Sequence, residues 1–81
     1  MNNERAKYLG RKAELEQDVK RDEVRAAGMI ELIRSHLDPT EDLENLHIEA
    51  VAMTAVELAD LHIKYLADLK RLRAVKDILG E

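Results

Sequence analysis

A single proline interrupts this chain of 81 residues, at Pro39, close to its middle. On either side runs a long stretch with helical apolar spacing and little turn-forming material, which restricts the chain to long helices joined once. Within His36-Leu37-Asp38-Pro39-Thr40-Glu41, Asp38 suits an N-cap and Pro39 suits the first helical position, where its missing N–H costs nothing. Glu41 then faces the positive end of the new helix. The residue before a proline avoids the α region, so the same segment also closes the preceding helix. Arg34 and His36 fall in its last turn, where cations suit the dipole. The sequence therefore predicts one domain over residues 1–81: a helix over about 3–36, a turn over about 37–39 and a helix over about 39–79.

Before the turn, apolar residues recur at Tyr8, Leu15, Val19, Ala26, Ile30 and Leu37. Steps of seven and four make an eleven-residue repeat, which suits a nearly straight helix pair. After the turn, Val51, Ala55, Leu58, His62, Tyr65, Leu69, Leu72, Lys76 and Leu79 form a heptad seam with two polar interruptions, and Gly80 suits the C′ position. Antiparallel pairing about Asp38 would set Tyr8 against Tyr65–Leu69, Leu15 against Leu58 and His62, and Ile30 against Leu46.

The second helix carries another stripe beside the seam, at Ile48, Ala52, Val56, Ala59, Ile63 and Leu66. The combined apolar arc is wider than one partner helix covers. So short a chain buries a small core, and a second copy is the simplest cover for the remainder. The predicted fold class is all-α: two long antiparallel helices forming a hairpin, with two hairpins pairing into a four-helix bundle. The predicted interface is Ile48, Val51, Ala52, Ala55, Val56, Leu58, Ala59, His62, Ile63 and Leu66. The small residues Ala52, Ala55 and Ala59 allow close approach. His62 reads as an edge imidazole with its ring packed and one nitrogen wet.

Composition excludes several function classes. There is no cysteine, hence no disulfide or thiolate chemistry, and the expected setting is the cytoplasm. Trp and Phe are absent and Tyr occurs twice, which leaves no stacking platform for single-stranded nucleic acid. No apolar run approaches bilayer length, so no membrane association is expected. With no phosphate-binding glycine motif and no loop long enough to build a pocket, no catalytic residues and no cofactor are expected, and the chain reads as a non-enzyme.

Two constellations carry alternative readings. Glu44 and His47 have the E-x-x-H spacing, and Glu31 lies across the expected hairpin. This resembles the encapsulated ferritins, whose two-helix hairpins complete a di-iron site across a dimer; the resemblance implies a metal half-site at Glu31, Glu44 and His47. The plainer reading of these residues is a solvated acidic rim, with no metal bound. The second constellation lies at the open end, where Arg5, Lys7, Arg11, Lys12, Lys64, Lys70, Arg71, Arg73 and Lys76 outnumber five acids. Arg5, Arg11, Lys70, Arg71 and Arg73 form a possible basic site for an anionic partner. The net charge of −4 and the lack of any base-reading motif make nucleic acid the weaker choice. The reading favoured throughout is a self-associating, protein-binding or regulatory adaptor, a homo-oligomer and most simply a dimer. The ferritin-like half-site and the nucleic-acid accessory protein are its alternatives.

Overall fold

The computed structural model describes residues 3–81 as two antiparallel α-helices, α1 (Asn3–His36) and α2 (Ile48–Ile78), joined by a linker with one 3-10 turn at Leu43–Asn45. The hairpin measures 66 × 15 × 15 Å. It is all-α, as the spacing predicts, and no helix among the described residues is long and apolar enough to cross a membrane.

The first helix keeps its predicted limits, and the second starts at Ile48 rather than Pro39. Asp38 does accept the hydrogen bonds expected of a cap, from the Thr40 backbone N–H at 2.9 Å and the Thr40 hydroxyl at 2.7 Å. Glu41 N–H then donates to Asp38 O at 3.1 Å, and the chain turns without continuing helically. Thr40, Asp42 and Asn45 are weak helix formers, and Leu43 is exposed. Local signals of this strength cannot extend a helix that nothing packs against. The Thr40 bonds hold the exposed Asp38 carboxyl below its ordinary range, the hydroxyl contributing most. His36 and His47 meet edge to face across the linker, with ring centroids 5.4 Å apart, and so join the end of α1 to the start of α2.

Lengthening the linker shifts the pairing. Leu15 and Val19 pack with Leu72, Val75 and Leu79, flanked by Tyr8, Tyr65 and Leu69. Leu15 thus meets Leu72 instead of Leu58 and His62, and Tyr8 lies beside Ile78 and Leu79 instead of Tyr65–Leu69. This core occupies the open end of the hairpin, away from the linker.

The far end of α2 closes as its sequence predicts. Gly80 takes φ 79°, Gly80 N–H donates to Asp77 O at 3.1 Å, and Glu81 N–H donates to Lys76 O at 2.8 Å. This is a Schellman cap, in which glycine supplies the left-handed residue. Lys12 also hydrogen-bonds Glu81, which pulls that carboxyl below its ordinary range and ties the tail to α1. Gly28 serves no such purpose: it lies inside α1, and a Cβ there would meet no atom within 4 Å. Gly28→Ala is expected to raise stability by ~0.5–1 kcal/mol, read as a higher melting temperature at fixed protein concentration.

Candidate functional site

The half of the hairpin nearer the linker has two unlike sides. On one, Ala26 and Ile30 of α1 and Ala55, Leu58, Ala59 and His62 of α2 border an open groove of about 480 Å³, closed toward the core by Tyr65 and Leu61. On the reverse side, Arg25, Glu57, Asp60 and Lys64 surround a charged hollow beside Met29. The difference follows from the wheel of α2. The seam toward α1 and the stripe beside it lie next to each other around the helix, so apolar surface continues out of the seam on one flank only.

Of the predicted interface residues, Ala55, Leu58, Ala59 and His62 border this groove, and the others lie elsewhere on α2. Ile48, Ala52, Ala55, Val56, Ala59, His62, Ile63 and Leu66 are exposed, while Val51 and Leu58 are half-buried. Val56 keeps 62% and Ile63 68% of its surface open to solvent. Of the twelve large hydrophobic residues that stay exposed, nine fall between Ile30 and Leu66. Four of the nine, Ile48, Val56, Ile63 and Leu66, belong to the predicted interface.

The metal constellation is not assembled as the sequence suggests. Glu44 lies in the 3-10 turn and His47 precedes α2, so the E-x-x-H spacing does not occupy one turn of α-helix. Glu31 pairs with Arg34 at 3.7 Å on its own helix. Among the described residues, no group of three or more His, Asp or Glu is placed to hold a metal ion. The five predicted bases lie toward the open end. Arg5 lies near Ile78 and Leu79, Arg11 lines a hollow with Glu14 and Val75, and Arg71 turns toward Asp68 at 3.6 Å. Lys70 and Arg73 are exposed, in line with the Ala59–Leu66 flank.

One polar cluster escapes the apolar pattern. Asp22 of α1 and Asp68 of α2 are 2% and 4% exposed, and the Lys64 ammonium bridges them. Lys64 Nζ donates to Asp22 Oδ1 at 3.0 Å, to Asp22 Oδ2 at 3.3 Å and to Asp68 Oδ2 at 2.9 Å. These bonds raise the Lys64 pKa, Asp68 contributing most, and the Lys64 bond holds the Asp68 carboxyl below its ordinary range against the opposing effect of burial. No buried side-chain polar atom among the described residues lacks a partner. The cluster joins the two helices and is fully satisfied, so it is a clamp rather than a reactive site. A signal for it exists in the sequence. Asp22 completes the four-three-four spacing of Leu15, Val19 and Ala26, a core position held by a charge.

No family model matches the chain, and neither a curated protein nor a solved structure is significantly similar to it.

Proposed function

We propose that this chain is a self-associating helical hairpin that works as a protein-binding adaptor and carries out no chemistry of its own. The observation that supports this is the two-sided linker half, apolar along the Ala55–Leu58–Ala59 groove and charged behind it. Uniform exposure would point to a loosely built monomer, whereas a one-sided apolar face is what an interface needs. A second hairpin laid on this face completes a four-helix bundle and gives the linker half the core that it lacks alone. The remaining surface of the pair is then left to bind another protein. A cysteine-free chain gains nothing from an oxidising compartment, which fits a cytoplasmic setting.

Sedimentation equilibrium at micromolar concentration tests the reading. The expected mass is a multiple of 9.3 kDa for the unaltered chain. Val56→Asp with Ile63→Asp should give a folded monomer, because both positions are already open to solvent within one hairpin and an unpaired charge buried at an interface is costly. A well-folded wild-type monomer throughout that range would end the proposal.

A further inference from the structure

We infer that the second copy lies antiparallel on α2, with the twofold axis passing between Val56 and Ala59. The inference rests on the self-association just proposed and supplies its geometry from two independent features of the exposed flank. The first is size. Along the stripe, Ala52, Val56, Ala59 and Ile63 alternate small and large, and all four are exposed. An antiparallel partner sets Val56 over Ala59 of the other copy and Ile63 over Ala52, and the twofold repeats both contacts in reverse. At these four central positions each large side chain then faces a small one, so the two surfaces interdigitate around the axis. A parallel partner in register sets Ile63 on Ile63, Val56 on Val56 and alanine on alanine, which gives alternating collisions and gaps.

The second feature is charge. Between Asp38 and Glu49 the chain carries Asp38, Glu41, Asp42, Glu44 and Glu49 and no lysine or arginine. Beyond the other end of the stripe come Lys70, Arg71 and Arg73. Antiparallel pairing lays each acidic linker over the basic segment of the other copy, whereas parallel pairing stacks like on like at both ends. Complementary charge at the ends of an apolar patch fixes orientation more than it adds affinity. Size and charge select the same orientation.

Because the chain has no cysteine, single substitutions report distances cleanly. Ala52→Cys and Ile63→Cys are made separately, mixed in equal amounts and oxidised. The expected product is the mixed disulfide between positions 52 and 63. Each variant alone should cross-link poorly, since equal positions would stand about 16 Å apart along the helix, beyond the reach of a disulfide. Efficient disulfides within each variant alone would overturn the antiparallel geometry and leave self-association standing. A wild-type mass of 9.3 kDa at every micromolar concentration would remove both. A charge swap gives a second readout that leaves the stripe intact. Lys70→Glu with Arg73→Glu should weaken self-association about tenfold, and adding Glu41→Lys with Glu44→Lys to the same chain should restore it. Unchanged or tighter association of the first variant would contradict the inference.

Discussion

Leu72→Ala is expected to destabilise the hairpin by ~2–5 kcal/mol, enough to leave most of the chain unfolded at room temperature. Leu72 is buried against Leu15, Val19, Val75 and Leu79, and among the described residues these five, with their flanking Tyr8, Tyr65 and Leu69, form the buried apolar core between the helices. The linker half offers no reserve, for it buries no hydrophobic residue between Val19 and Leu61. A cavity at Leu72 cannot collapse easily either, because two straight helices meet it from opposite sides and no third element can move in. The control is Leu43→Ala. Leu43 is 78% exposed, so its loss should change stability by no more than about 0.5 kcal/mol. Thermal melts followed by far-ultraviolet circular dichroism, at one fixed protein concentration, compare the two. Equal melting temperatures for the two variants would mean that the core does not lie at the open end.

The all-α hairpin was legible in the sequence because two long periodic segments flank a single strong break. The pairing register was not legible, and the reason lies in the helix repeat. The observed register differs from the expected one by about three turns, close to eleven residues, and α2 also turns slightly, burying Leu61, Asp68 and Val75 where the predicted seam had His62, Leu69 and Lys76. Leu58 and Leu72, both in the predicted seam and two heptads apart, are near-equivalent partners for Leu15 as far as periodicity goes. What separates them is the linker, where Asp38 closes a turn with Thr40 rather than opening a helix. Both outcomes use the same residues, and tertiary pairing chooses between them. The apolar flank of α2 survives this shift because it depends on the phase of α2 alone. The Glu31–Glu44–His47 grouping does not survive, since it needed both the register and an early start to the helix.

The charged clamp is the feature that apolar patterning was least able to reveal, and removing its cation should have an effect that depends on pH. Lys64 holds Asp22 and Asp68 together, two carboxylates that would otherwise repel across a seam shielded from water. Lys64→Met is therefore expected to lower the melting temperature clearly at neutral pH, with Arg71 at 3.6 Å relieving only Asp68. The acid response should then reverse. In the wild-type protein the Asp68 carboxyl sits below its ordinary 3.8, so its contribution is complete above that value and is lost as pH falls through the depressed one. Lys64 sits above its ordinary 10.5, so its contribution is complete below that value and is lost as pH rises through the elevated one. Between these limits the clamp contributes a constant amount. Without the ammonium, the paired carboxylates gain by taking up a proton, and mild acid should raise the melting temperature of Lys64→Met while leaving the wild type level. Asp22→Leu with Asp68→Leu goes the other way: it removes both buried charges, leaves the half-exposed Lys64 ammonium to turn into water, and should be stabilising, with the acid sensitivity of the clamp gone. That gain carries a structural consequence. Asp22 and Asp68 are the only polar or charged residues buried among those described, and the bridge between them forms in one register only. An all-apolar seam, by contrast, slides by eleven residues at little cost. The double leucine variant should therefore be the more stable chain and the less uniquely paired one, giving broadened side-chain signals in NMR spectra. Sharp, single resonances from that variant would show that the linker alone fixes the register.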